Sequence, residues 1–196
     1  MEILHTDQHI IVCVKPVGLD SEAEVPKALS EAAGGTFFPV HRLDKNVGGV
    51  MVYARTKAAA AALSKAIQEN TMVKEYVALV HGTPPQSGDW EDLLFKDSSK
   101  NKVFVVQRER KGVKKARLEF VRQTDADPSL VRIRLHTGRS HQIRVQFASR
   151  GYPLLGDHKY GARDESPAPM LFSCKLTFPL FGKTHSYEAL PFWEEK

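Results

Sequence analysis

The chain has 196 residues, enough for one sizeable core, and its 42% apolar and 26% charged residues are the balance of a globular protein. No apolar run approaches the roughly 18 residues a membrane-spanning helix needs. Residues 1–16 lack a basic segment ahead of an apolar one, so the sequence predicts no secretory leader and a cytoplasmic protein. A net charge of +5 permits a polyanionic partner without requiring one.

Short apolar runs at 3–5 and 10–14 flank a polar 7–9 and predict an antiparallel hairpin, stopped by Lys15-Pro16-Val17-Gly18. A short helix is expected over 26–34, ended by Gly34-Gly35, and a strand over 50–53. Thr56 has the side chain of an N-cap for a helix over 57–69 that turns Ala59, Leu63, Ala66 and Ile67 to the core. Residues 73–80 form the next strand, closed by Gly82 and Pro84-Pro85. The polar, Gly-interrupted stretch 86–112 reads as a short hairpin or an excursion from the core. Alternation of Ala116, Leu118 and Phe120, and again of Val131, Ile133 and Leu135, gives two half-buried strands joined by a turn at 125–129. Ser140 is the expected N-cap of a helix to about Ser149, with Ile143 and Phe147 one turn apart on one face. A loop rich in Gly and aromatic residues follows over 151–161, then a polar, mobile stretch at 162–169. Strands over 171–178 and 186–189 complete the chain. No repeat and no linker divides it, so one α+β domain over 1–196 is expected, with mostly antiparallel pairing and two or three helices.

Cys13 and Cys174 lie in apolar runs and read as buried thiols. The eight histidines show no zinc-ligand spacing with them, so no structural metal is expected, and with no nucleotide or metal motif in the chain no cofactor is expected. Residues 100–122 and 132–150 are dense in Arg and Lys and suit a polyanion; for the first run a solvated strand face is the alternative.

Three segments carry the candidate chemistry. His41-Arg42-Leu43-Asp44 runs into Lys45-Asn46-Val47-Gly48-Gly49 and a strand, which alone reads as a turn-forming Asp beside an exposed Arg. Lys74-Glu75-Tyr76 opens a strand, where a Tyr is usually core with its hydroxyl at the edge. In Leu135-His136-Thr137-Gly138-Arg139-Ser140-His141-Gln142-Ile143-Arg144 a strand ends, the chain turns, and Arg139 stands before a helix start suited to phosphate or carboxylate.

In order, HRLD with its glycine-rich turn, K-x-Y, and L-x-TGR-x-HQIR resemble the motifs of RluA-type pseudouridine synthases. The opening ILHTDQHIIVCVKPVGL, the stretch GYPLLGDHKYG and the ending LFSCKLTFP extend the likeness over nearly the whole chain. Departures are Val47-Gly48-Gly49 where Thr-Ser-Gly is usual, and Gln146 and Phe172 where His is frequent. The resemblance implies the pseudouridine synthase fold, a mixed, mostly antiparallel sheet with flanking helices and a central cleft. It implies a catalytic domain with no RNA-binding domain ahead of it, acting on a ribosomal or transfer RNA stem-loop. Neither DNA nor membrane is expected as a partner, and a monomer is the default. Asp44 is the implied nucleophile, which a nearby Arg139 would keep ionised. Tyr76 would lie against the uracil, with Ile143 as the opposite apolar wall, and Arg42 would enter the RNA stack in place of the flipped base. His41 and Arg144 complete the expected substrate-binding set. The rival readings are a non-catalytic RNA-binding protein of the same fold and a retaining glycosidase, for which Asp157 is the nearest second carboxylate although its Gly156-Asp157 setting reads as a turn.

Overall fold

The computed structural model describes residues 1–191 and 193. Its strands are β1 (Glu2–Thr6), β2 (Ile10–Lys15), β3 (Phe38–Pro39), β4 (Gly48–Ala54), β5 (Val73–Val80), β6 (Ser87–Asp97), β7 (Lys102–Val106), β8 (Val113–Arg122), β9 (Ser129–Leu135), β10 (Leu171–Leu180) and β11 (Lys183–Glu188). Its helices are α1 (Glu24–Ala33), α2 (Lys57–Gln68) and α3 (Gln142–Ala148). The chain separates into two compact units, residues 1–74 with the segment from Phe172 onward, and residues 75–171. No linker in the sequence marked that division.

In the first unit, the Asp7 carboxylate accepts the N–H groups of His9 and Ile10 at 2.7 and 2.8 Å, which sets the β1–β2 turn. β2 pairs antiparallel with β4 from Ile10↔Ala54 to Lys15↔Gly49, and both strands read as apolar runs because both of their faces are covered. β10 runs parallel to the start of β4 at Phe172↔Gly48 and Ser173↔Gly49, and β11 returns antiparallel along β10. Gly49 makes the parallel contact possible. Its φ is +129°, and a β-carbon there would sit 2.7 Å from Ser173 Cα, overlapping the neighbouring backbone. Thr56 caps α2 as expected, its hydroxyl accepting Ala59 N–H at 3.1 Å. Ala59, Leu63 and Ala66 then close over Ile10, Val12, Val50, Val52, Leu176 and Phe178. α1 starts two residues earlier than its sequence suggests. Asp20 accepts the N–H groups of Glu22 and Ala23, while Glu24 accepts that of Asp20, fixing the turn that leads into the helix.

In the second unit the strand order is β5-β9-β8-β6-β7. The stretch 86–112 is no excursion: β6 pairs with β8 from Ser87↔Val121 to Phe95↔Val113 and carries β7 on its other side. Trp90, Phe120 and Phe147 meet with ring centroids 4.4 to 5.2 Å apart, fastening α3 to the sheet. Two expectations need correction. Ser140 does not cap α3: the helix begins at Gln142, after His141 in a left-handed conformation (φ +51°), with no side-chain cap. And residues 162–169 are tied down, because Asp164 accepts the N–H groups of Gly156 and Ser166 and bonds His81 at 2.7 Å. Burial alone would raise the Asp164 pKa, but these donors outweigh it and hold the carboxyl below the usual carboxylate range.

Candidate active site

The loop between β3 and β4 carries His41, Arg42 and Asp44, and buried side chains of the first unit hold its backbone. The Ser21 hydroxyl donates to the Leu43 carbonyl at 2.9 Å and accepts the Leu43 N–H at 3.2 Å. Tyr53 Oη fixes Ser21 in turn, donating to its carbonyl at 2.8 Å. Lys15, at 0% exposure, spreads its ammonium over three carbonyls, those of Pro16, Leu19 and Lys45, at 3.0, 2.8 and 3.2 Å. Burial brings the Lys15 pKa down to about 8, while the carboxylates of Asp20, Asp44 and Glu24 favour its charged form. Gly18 N–H also donates to the Lys45 carbonyl, and Val47 N–H to that of Asp44, at 2.8 and 2.9 Å. Leu43 and Val47, both buried, anchor the loop to the core on either side of half-buried Asp44.

His41 does a strand's work with its side chain. β3 ends at Pro39, opposite Tyr53, and the next inward donor of β4, Val52 N–H, is taken by His41 Nε2 at 3.2 Å. Since Nε2 accepts, the ring proton resides on Nδ1, which is closed off from water and meets no acceptor among the described residues. Burial, with Lys74 adding to it, lowers the His41 pKa to about 3. His41 is therefore neutral at working pH and suits hydrogen-bond donation better than proton transfer. Arg42 points outward, with Glu22 3.9 Å away.

In the second unit, Tyr76 lies on β5 at 6% exposure. The turn before α3 is organised by buried Gln142, whose carbonyl accepts the Thr137 hydroxyl (2.7 Å) and Arg139 N–H (3.0 Å) and whose amide donates to the Arg117 carbonyl (3.1 Å). The two arginines there differ sharply. Arg139 is exposed and donates Nε to the Lys115 carbonyl at 2.9 Å. Arg144 is buried and makes two parallel bonds to Asp157, at 2.7 and 2.8 Å, with Tyr160 beneath its guanidinium at 5.2 Å. Tyr160 Oη, in turn, bonds His141 and Val103 N–H, both at 2.9 Å. Ile143 is buried beside Arg144.

The candidates thus fall in two groups, His41, Arg42 and Asp44 on one loop, and Arg139, Ile143 and Arg144 on one turn and helix start, with Tyr76 in the same unit as the second group. Sequence reasoning missed Lys15, Ser21, Tyr53, Gln142 and Tyr160. It also took Asp157 for a turn residue, whereas this carboxylate is the buried counter-ion of Arg144 and so is committed away from the second-acid role a glycosidase would need. The one readable signal was Lys15, a charge ending the apolar run Ile10–Val14.

A family model described as RNA pseudouridylate synthase matches residues 9–149. The chain is 34% identical over 203 residues to the dual-specificity RNA pseudouridine synthase RluA of Escherichia coli, covering 95% of this chain and 91% of that one. It is 34% identical over 189 residues to an uncharacterized RNA pseudouridine synthase of Aquifex aeolicus, covering 88% of this chain and spanning only 60% of that relative's length. Among solved structures, human RNA pseudouridylate synthase domain containing 4 shares the fold with a TM-score of 0.82 at 24% identity, over 98% of this chain and 89% of that one. The chain belongs to the RNA pseudouridylate synthase family, as a catalytic domain of the RluA type, whose reaction is the isomerisation of uridine to pseudouridine in RNA.

Proposed function

We propose that this chain converts a specific uridine of a ribosomal or transfer RNA stem-loop to pseudouridine, with Asp44 as the nucleophile acting on a base flipped out of its stack. The observation that carries this reading is the clamp under the Asp44 loop. A lysine ammonium withdrawn from water is expensive to maintain, and here it is spent on three loop carbonyls. Such fixation suits a carboxylate that must meet a sugar carbon in one geometry.

The bond from ribose to the uracil nitrogen breaks, the base turns, and ribose bonds a uracil carbon, whose proton leaves. No electron is gained or lost. Asp44 adds to the sugar or assists its detachment, and either role needs the ionised acid. Arg139 supplies the positive charge that favours that form; among the described residues its side chain is engaged at Nε, so its terminal nitrogens remain for a carboxylate or phosphate. Tyr76 stacks on the uracil and assists the proton's removal, and Ile143 forms the opposite wall. Arg42, exposed on the loop, fills the gap the base leaves. His41, through its hold on Val52 N–H, positions the loop that meets the substrate, and Arg144, fixed by Asp157, completes the binding set.

The test is to map pseudouridine in ribosomal and transfer RNA treated with the wild type or with Asp44→Asn. Wild type should mark discrete uridines, and the variant should fall by about a thousandfold or more while still binding RNA. Normal conversion by Asp44→Asn would overturn the nucleophile. A wild type that binds RNA without converting any uridine would leave a non-catalytic RNA-binding protein, and release of free uracil would point to hydrolysis.

A further inference from the structure

The charge of this molecule is concentrated in one place. Residues 95–115 hold eight basic side chains (Lys96, Lys100, Lys102, Arg108, Arg110, Lys111, Lys114 and Lys115) against Asp97 and Glu109, a net of +6. The whole chain carries +5, so everything outside this segment sums to −1. Spatially the segment is the tip of β6, the strand β7, and the loop leading into β8.

We propose that residues 95–115 form the main surface by which the protein grips RNA phosphates, and that the ion-paired arginines of the second basic run, 132–150, do not. The inference rests on the reading of the chain as an RNA-modifying enzyme and names the part of it that holds the RNA backbone. The structure treats the two basic runs differently. In the second, three of five arginines are neutralised, Arg132 by Glu75 at 2.9 Å, Arg144 by Asp157 at 2.7 Å and Arg150 by Asp92 at 2.8 Å, while Arg134 and Arg139 are exposed. Arg117, just beyond the first segment, lies between Asp89 and Glu119. The acids at the root of β6 and on β8 therefore neutralise the cations near them. Towards the tip Asp97 and Glu109 stand against eight cations. Lys96, Arg108, Lys111 and Lys114 are exposed and form no ion pair among the described residues, while Lys100 and Lys115 have only acids at 4.0 and 3.9 Å.

An ordinary solvated face intersperses its charges, as α2 does with Lys65 beside Glu69. Packing like charges together opposes folding, and a polyanion relieves the repulsion. The support beneath is firm: Asp97 accepts the N–H groups of Ser99 and Lys100 and the Ser99 hydroxyl, fixing the β6–β7 turn. Arg110 lies 4.5 Å over the Phe95 ring, and Lys102 sits between Phe104 and Tyr160, at 5.8 and 5.3 Å. Cations held this way keep their spacing along a backbone of phosphates.

The test measures binding of a fluorescein-labelled RNA stem-loop against salt. Each phosphate contact contributes about 0.7 to 0.9 to the slope of log affinity on log salt. The combined variant R108Q/R110Q/K111Q/K114Q should flatten the slope by about 3 and weaken binding roughly a hundredfold at low salt, while still melting cooperatively. The charge-preserving R108K/R110K should keep the wild-type slope. K57Q/K65Q/K183Q removes three exposed cations from the other unit and should leave the slope alone. A slope that ignores the four glutamines, or that drops equally with the control, overturns the proposal. Pseudouridine formation is scored separately, so an active enzyme with an unaltered slope sinks only the phosphate surface, whereas a salt-sensitive but inert binder sinks the proposed reaction and keeps the surface.

Discussion

The loop at 41–47 and the segment at 95–115 both present charge, and they are built in opposite ways. The first is held by groups taken out of water: an ammonium on three carbonyls, a serine hydroxyl bonded to both polar groups of Leu43, an imidazole standing in for a strand. The second is held by an Asx turn and by two cations lying against rings, with most of its charges in solvent. A reacting carboxylate needs one position, and buried hydrogen bonds, strong in a low dielectric, provide it. Phosphates need only positive charge at a suitable spacing, and solvated side chains provide that without a desolvation cost. The lesson is that the buried region should be sensitive to single substitutions and indifferent to salt, and the exposed one the reverse.

Lys15→Met tests that contrast most severely. It strips the lysine donor from the Pro16 and Leu19 carbonyls, while that of Lys45 keeps the Gly18 N–H, and should cost about 3 kcal/mol in urea unfolding, with activity falling alongside. If stability barely changed, the loop would not depend on this clamp. Asp157→Asn keeps the shape but strips the counter-ion from buried Arg144, for about 3 kcal/mol. That loss should persist in high salt. His41 gives a pH signature. Its folded pKa, about 3, lies below the ordinary 6.5, so its neutral form is fully stabilising above pH 6.5. As pH falls from 6.5 towards 3, the unfolded chain takes up a proton that the folded one refuses, and stability should decline by about 1 kcal/mol per pH unit. His41→Gln should flatten that part of the profile. Ser21→Ala removes one hydroxyl from Leu43 and should cost about 1 to 2 kcal/mol. Replacing Arg108, Arg110, Lys111 and Lys114 together should shift stability by no more than about 1 kcal/mol, because of the four only Arg110 lies against a ring.

The sequence made the periodic parts legible. Alternation placed β8 and β9, and a threonine before an alanine-rich run placed α2, because these signals are local. The order of HRLD, K-x-Y and TGR-x-HQIR named the family. What stayed hidden was non-local. Ser21 acts on Leu43 and Lys15 on Lys45, through backbone carbonyls that look alike at every position in a sequence. α3 was misread because Ser140 has the side chain of a cap, whereas the turn ahead of it is secured by Gln142, a residue that reads as ordinary helix interior. Residues 162–169 looked loose from their composition until Asp164 was seen collecting donors from Gly156, Ser166 and His81. The two basic runs looked equivalent because ion pairs such as Arg150 with Asp92 join residues far apart in sequence.

Gly49 has a bearing on how this sequence can change over time. Two backbones meet where any methyl group would intrude on Ser173, so every non-glycine codon at this site forces β4 away from β10. The acid-bearing loop feeds directly into that strand. Mutational drift can rewrite the polar residues of the loop, while position 49 stays frozen by geometry alone, and a scan of all substitutions should find it intolerant even in a variant already lacking the carboxylate.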